Sequence, residues 1–498
     1  MENAKAKVML IDDLVEDIAN ELNVKITGEA KGETHSMVIG RLSQSAKPFS
    51  EIIKEILNEK GLDTQKVTDF HKRVTIAWGH HSIEQHAHTS IGLENVSILA
   101  ANKYFENKRL SAYLERSTRY QDFSNPSYYI PAELNEKQKE KYVQAVDYLF
   151  STYSKVLPLL ITNITENYKA RGITADEKTI KKKAFDGARY LLPASTMTNF
   201  AISTNSQQFR ALIHDLKSIK NNELNEIADR MQEALTKEYP SLLAKEYCVA
   251  DETRIEHTNK EITINPIKQN QSNEKISIEE HTFENIQPTI KTINTTQNAE
   301  ELICYEYLTK EGFDTSYVKG KVFLRGKEIT PEQKKELVKK IFSYNTIEKK
   351  PHRAAENAYY WFETLVDFGA GRDLHRNRML TWIDTEVSPE YGYAIPYYLN
   401  EEAKKEYTNA LKKAFSVWVE LINQGVSREI AQYLLPLATN YKVLYTLNAK
   451  ELHHVAKTRT SRAAHYSYRE YVHKLCEEVK QINPLIGAQL PDQYEKEL

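Results

Sequence analysis

The sequence predicts an α/β chain of the α+β kind, built from two tandem halves in each of which a sheet is flanked by long helices. An internal repeat, helical periodicity at matching places in the two halves, and alternating apolar runs between them carry that prediction. The repeat is the strongest of these. ARYLLPASTMTNFAISTNSQQFRAL, from Ala188, and AQYLLPLATNYKVLYTLNAKELHHV, from Ala431, share A-x-Y-L-L-P-x-x-T and an asparagine twelve residues after the proline. Pro193 and Pro436 are 243 positions apart, and so are Asn205 and Asn448. A gapless match of this length points to duplication. Upstream, SYYIP ending at Pro131 faces GYAIP ending at Pro396.

The elements follow in order. Residues 7–15 (KVMLIDDLV) read as an early strand. Residues 49–60 and 64–80 read as helices, and the segment from His86 to Leu110 alternates and then turns helical. Residues 134–168 have a strong period of 3.6, mirrored by residues 400–424, and each half closes on an amphipathic helix that ends before a proline. The stretch 253–300 is polar, Asn/Thr-rich and weakly periodic, a connector with room for short strands. The expected domains are therefore 1–250 and 301–498, joined by 251–300.

Composition removes several classes of function. The 498 residues carry a formal charge of −2, which argues against a general binder of nucleic acid polymers. No apolar run is long enough to span a membrane, and the start MENAKAKVMLIDD has no secretory pattern. A cytoplasmic protein is expected. Cys248, Cys304 and Cys476 are far apart and form no metal or disulfide spacing, so no metal is expected. There is no Gly-x-Gly-x-x-Gly turn after a strand and no Walker loop.

Four segments concentrate polar and basic groups. GHHSIEQHAH (Gly79 to His88) holds four histidines without a matching carboxylate set, and reads as a helix start capped by Ser82. NKRLSAYLERSTRY (Asn107 to Tyr120) places Arg109, Glu115, Ser117 and Arg119 within eleven residues, a combination suited to phosphate. GRDLHRNRMLTWIDTEVSPEYGY (Gly371 to Tyr393) brings Arg372, Arg376 and Arg378 together. AKTRTSRAAHYSYRE carries Arg459 and Arg462 before the last helix, where a Ser/Thr/Arg turn can attract an anion. Taken alone, the second segment reads first as a solvated charged stretch, and the fourth equally well as an exposed basic loop.

Taken together and in this order, the segments resemble the flavin-dependent thymidylate synthases, the ThyX family, present twice. That family's signature is Arg-His-Arg, seven residues, then Ser, inside R-H-R-x-x-S-x-N-E-x-S-x-R-Y. The first half keeps the later part of the signature (Glu115, Ser117, Arg119, Tyr120) but has Asn107-Lys108-Arg109 at the Arg-His-Arg position. The second half keeps Arg376-Asn377-Arg378, with Asp384 and Glu386 at the Glu and Ser positions unless a two-residue shift brings Glu386 and Ser388 there. The Arg before Leu-Leu-Pro survives as Arg189 but is Gln432 in the second half. The late Arg survives as Arg459 but is Leu216 or Lys217 in the first. The losses are complementary, so one mixed site would keep every nucleotide-side group.

The resemblance implies reductive methylation of dUMP to dTMP with FAD, methylenetetrahydrofolate and NADPH. It implies a homodimer of tandem chains, equivalent to the family's tetramer, with the site composite between repeats. Glu115, Ser117, Arg119, Arg189, Arg376 and Arg459 would bind substrate. Arg459 and Ser117 would stand at the reacting atoms, Ser117 as a hydrogen-bonding group and not a nucleophile. FAD contacts would come from His80, Ser82, Lys108, Arg109, Glu115, Asn205 and Gln207 in the first half, and from Arg378, Asn448, Lys450 and His454 in the second. The family's flavin-side arginine is replaced by Gln207 and Lys450. A catalytically degenerate or repurposed flavin- or nucleotide-binding protein is the alternative.

Overall fold

The structure, a computed structural model, describes residues 31–42, 45–58, 64–105, 109–250, 283–286, 288–343, 350–462 and 464–495. The expected strand at 7–15, Lys108 and most of the connector lie outside them. The described residues form two compact units, one falling within residues 1–96, 103–116 and 198–273, the other within 97–102, 117–197 and 274–498. Helices predominate, with short antiparallel sheets, so the fold is α/β in the α+β sense.

The first unit is built on a sheet of order β1-β3-β2, where β1 is His88–Ser97, β2 is Ala112–Glu115 and β3 is Met197–Asn205. β2 runs antiparallel to β3, with Ala112 opposite Ser203 and Glu115 opposite Phe200. The helices Phe49–Asn58, Ser206–Lys217 and Asn222–Thr236 belong to this unit. The last two are capped by Asn205 and Asn221, whose side chains accept from Gln208 N and Leu224 N.

The second unit holds a four-stranded antiparallel sheet of order β4-β8-β10-β9 (β4 Thr289–Thr295, β8 Tyr359–Asp367, β9 Thr381–Asp384, β10 Asn440–Asn448). β4 lies in the polar stretch read as a connector and pairs along the edge of β8, with a bulge between Thr292 and Asn294. A small sheet of β5 (Thr315–Val318), β6 (Lys321–Leu324) and β7 (Lys327–Glu328) stands apart. Its turns are Lys319-Gly320 and Arg325-Gly326, all four residues in the left-handed region (φ from 50° to 79°), the geometry two-residue hairpins need.

The order β8-β10-β9 repeats β1-β3-β2, and the register of β9 on β10 repeats that of β2 on β3 position by position. Asp384 faces Val443 as Glu115 faces Phe200, and both Val443/Phe200 and Thr446/Ser203 are 243 positions apart. Asp384, not Glu386, is therefore the counterpart of Glu115, and the two-residue shift is excluded. Two single-residue differences interrupt the match. Ser206 N to Ala87 O corresponds to Ala449 N to Ala358 O, and Ile98 N to Thr196 O to Phe368 N to Thr439 O, yet eleven positions separate Ala87 from Ile98 and ten separate Ala358 from Phe368. Leu99 N and Gly369 N make equivalent bonds to Ala194 O and Leu437 O, yet thirteen positions separate Leu99 from Ala112 and twelve separate Gly369 from Thr381. In this second stretch the first half forms a π-helix at Ala100–Phe105, where the second half has the α-helix Phe368–His375.

The long helices Glu136–Ala170 and Glu401–Asn423 pack against each other in the second unit. Asn135 and Gln138 form a reciprocal capping box on the first, and Asn400 caps the second. Their apolar stripes, including Leu149, Tyr153 and Val156 on one and Tyr407, Leu411 and Trp418 on the other, are buried. The two Leu-Leu-Pro segments meet each other there. Pro193 bridges Pro436, Ala194 N donates to Leu435 O and Leu437 N to Leu192 O, each at 2.9 Å. Ser195 N to Tyr433 O and Ala438 N to Tyr190 O repeat the exchange one step out. Two copies of one motif thus pair reciprocally, the self-complementary contact of a two-fold axis, within one polypeptide.

Candidate functional site

Within the second unit, four of the expected substrate residues converge. Arg119, Arg189, Arg376 and Arg459 all act electrostatically on one carboxylate, Asp373. Arg119 and Arg189 come from the first half of the sequence, and the other two come from the second.

The helix Phe368–His375 sets the centre of the cluster. Asp367 caps it by accepting from Ala370 N at 2.6 Å, and Ser467 Oγ donates to the other Asp367 oxygen at 2.6 Å. Gly371 lets this helix lie on β10, because a Cβ there would meet the Tyr441 ring and hydroxyl. Asp373 on the next turn accepts from Arg189 Nη1 and Nη2 at 3.4 and 3.3 Å, and from Arg376 Nη1 at 3.5 Å. Arg189 Nη2 also donates to Gly369 O at 3.1 Å. Burial opposes ionisation of Asp373, but the guanidinium groups of Arg189, Arg376, Arg119 and Arg459 outweigh it and hold its pKa well below the usual carboxylate range.

Arg119 is held differently. Its Nε and Nη2 grip the two oxygens of Asp186 at 2.6 and 2.9 Å, and its Nη1 donates to Tyr468 Oη at 2.9 Å. This is a bidentate pair with a fully buried carboxylate. The guanidinium carbons of Arg119 and Arg459 lie 5.8 and 5.7 Å from the Tyr468 ring centroid, within cation–π range. Arg459 is half-buried, and its Nε has no hydrogen-bond partner among the described residues. His465 caps the helix Tyr466–Ile482, and its Nε2 donates to Asp186 O at 2.9 Å. Burial lowers the His465 pKa to about 3 and Arg189 adds to the effect, so the ring is neutral at neutral pH. Ser117 is half-buried, and its Oγ accepts from Arg119 N at 3.2 Å.

Beside this cluster is a cleft of about 460 Å³. Arg376, Arg378, Lys450 and His454 line it together with Lys350 and Lys457, against the single carboxylate of Glu451. Lys450 pairs with Glu356 at 2.8 Å. This donor set fits an anionic cofactor group such as a pyrophosphate. Asn448 sits at the N-terminus of the next helix, its Oδ1 accepting from Glu451 N at 2.9 Å.

The first-half residues expected at a flavin lie in the other unit. Glu115 is buried on β2. His80, Ser82 and Arg109 are exposed, and Gln207 accepts from Gln85 Nε2 at 2.9 Å. Asn205 is a helix cap, as Asn448 is. Ser82 does not cap a helix, contrary to the sequence reading. The helical turn next after it is the 3₁₀ turn Glu84–His86, which has Ile83 at its N-cap position and no side-chain cap. Glu84, fully buried, instead organises the segment through His81 at 2.8 Å and Arg210 at 2.6 Å.

Sequence reasoning missed Asp186, Asp373, His465 and Tyr468. It also left aside a group of His473, Glu477 and Asp492, whose ligating atoms lie within 4.8 Å of one another and in which His473 Nδ1 and Asp492 Oδ2 are already hydrogen-bonded. Among the described residues no helix is long and apolar enough to cross a membrane.

A UPF0159 protein of Thermoplasma acidophilum is 25% identical over 485 residues, covering 91% of this chain and 93% of that protein. A UPF0159 protein of Chlamydia pneumoniae is 28% identical, over 85% of this chain and 80% of its own. A flavin-dependent thymidylate synthase of Saccharolobus solfataricus is 32% identical, over 20% of this chain and 38% of its own. The family described as thymidylate synthase complementing protein matches residues 27–241 and again residues 292–485. The chain therefore belongs to the thymidylate synthase complementing protein family, with the family's fold present twice in tandem.

Proposed function

We propose that the protein is an FAD-dependent thymidylate synthase that methylates dUMP reductively to dTMP, using methylenetetrahydrofolate and NADPH, at one composite nucleotide pocket per chain. The observation that carries this reading is the convergence of Arg119, Arg189, Arg376 and Arg459, drawn from both halves, around Asp373. With Asp186 and Asp373 counted against them, these four guanidinium groups leave two positive charges in excess, which suits a dianionic phosphate monoester.

In this reading Arg119, Arg189, Arg376 and Ser117 hold the phosphate and sugar. Arg459 faces the uracil ring, where its charge favours the ionised imide and raises electron density at the carbon to be methylated. Tyr468, flanked by Arg119 and Arg459, keeps the two cations in place. Arg378, Lys450 and His454 would hold the cofactor's anionic portion in the basic cleft. FAD, when bound, supplies the redox chemistry, and the protein positions and polarises.

A second reading, a degenerate or repurposed nucleotide- or flavin-binding protein, draws on the exposure of His80 and Ser82 and the use of Asn205 and Asn448 as caps. Flavin absorbance of the purified chain and rescue of a thymidine auxotroph separate the two readings. Arg459→Ala should lower dTMP formation by at least about a hundredfold without changing the melting temperature. A variant that keeps near-full synthesis would refute the composite pocket.

A further inference from the structure

The two carboxylates of the arginine cluster are bound in different ways. Asp186 meets Arg119 at 2.6 and 2.9 Å, within the range of strong charge-assisted bonds. Its side chain is fully buried, and its backbone carbonyl is held by His465. Asp373 meets Arg189 and Arg376 only at 3.3 to 3.5 Å, although burial and ionisation favour a closer grip. It lies between two guanidinium groups that come from different halves of the chain. Arg376 also opens onto the basic cleft, so an anion arriving there reaches the pair from the cleft side.

We propose that Asp373 is a resident counter-ion that occupies the anion position of the Arg189–Arg376 pair, and that a phosphate monoester binds by displacing it. This rests on reading the cluster as a nucleotide-phosphate pocket, and it adds the device that sets the pocket's affinity. A phosphate bound by both arginines while Asp373 stayed in place would put two like charges side by side in a poorly solvated site. The long, shared bonds of Asp373 are the ones that yield. The short pair of Arg119 and Asp186 stays and keeps Arg119 oriented. Without Asp373, Asp186 would be the one carboxylate set against the four guanidinium groups named in the cluster. With it, the free protein is neutralised in part, and affinity for small anions is held down.

The test uses the full-length chain and inorganic phosphate, measured by isothermal titration calorimetry. Asp373→Asn should bind phosphate on the order of tenfold more tightly than the wild type, and Asp373→Glu, which keeps the charge, should not. A folded Asp373→Asn that binds phosphate no better than wild type, or worse, overturns the proposal, as does absence of phosphate binding to every one of the three proteins. If the Asn variant does not fold, a wild-type crystal soaked in phosphate decides. Asp373 turned away from Arg189 and Arg376, with phosphate in its place, supports displacement, and phosphate seated while both contacts persist refutes it. Titration with dUMP separates this from the functional reading. If phosphate behaves as expected but dUMP binds no more tightly than phosphate, the pyrimidine assignment fails while the counter-ion stands.

Discussion

The two halves keep the same strand order and divide the arginines between them. Arg189 and Gln432 occupy one position, each in a 3₁₀ turn before Leu-Leu-Pro and each buried. Arg189 reaches Asp373 and Gly369 O, whereas Gln432 donates to Glu429 O and accepts from Val387 N. Arg119 and Ser388 correspond likewise. Arg119 grips Asp186, and Ser388 caps the turn Pro389–Tyr391. In the other direction, Arg459 corresponds to Leu216, a core residue of its helix. The guanidinium groups are exchanged for local hydrogen bonds and apolar packing without disturbing strand register, so the scaffold does not need the cations. What it needs is the Leu-Leu-Pro contact, kept on both sides.

The sharpest way to break this comparison is to make the first half resemble the second. Arg189→Gln should abolish nucleotide binding and cost about 3 kcal/mol of stability, because it removes the main partner of a buried carboxylate. Chemical denaturation with and without dUMP measures both effects. Unchanged binding would mean that the half carrying Arg189 is no more functional than its counterpart.

A smaller effect concerns pH. The neutral His465 ring belongs to the cluster, facing Asp186, Arg189, Arg119 and the tyrosines at 190, 466 and 468. Its pKa falls from 6.5 to about 3 on folding, so the unfolded chain takes up a proton that the folded chain refuses. Its stabilising contribution is full above pH 6.5 and declines as pH falls toward 3, by about 1.4 kcal/mol per unit. Asp373, whose pKa is depressed on folding, contributes stability that is present above about pH 4 and lost at more acid pH. In His465→Gln the decline between pH 6.5 and 5 should be shallower by one proton. An identical slope would show that the ring is protonated in the folded state.

The smallest effect distinguishes a cap from a ligand. Asn448→Ala should cost about 1 kcal/mol through the lost cap, and Asn448→Asp should restore it. If Asn448 also contacts flavin, the Asp variant will be stable yet will have lost flavin absorbance. Retained flavin in both variants would leave it a cap alone.

Much of this was legible in the sequence, and the exceptions are instructive. The repeat, the long helices and the four arginines were readable because periodicity, a constant offset and a charged motif survive in one dimension. That the two Leu-Leu-Pro segments pair with each other was not, since an offset of 243 residues carries no distance. Asp186 and Asp373 read as ordinary helix charges, and Tyr468 was one tyrosine among 30. Their importance comes from which guanidinium groups they meet. The hairpins of β5 to β7 did leave a signal in Lys-Gly and Arg-Gly between short alternating runs. The π-helix at Ala100–Phe105 did not, because one inserted residue in a helical run changes no local propensity.

Closing the Pro193–Pro436 crossing inside a single polypeptide removes dilution as a threat to it. Separate subunits would have to find one another at every concentration, and a substitution in one would appear at every equivalent surface at once. Here each partner is delivered by the chain itself, in fixed one-to-one supply, and each can mutate alone. That freedom is what allows two copies of a scaffold to stop being copies while still holding on to each other.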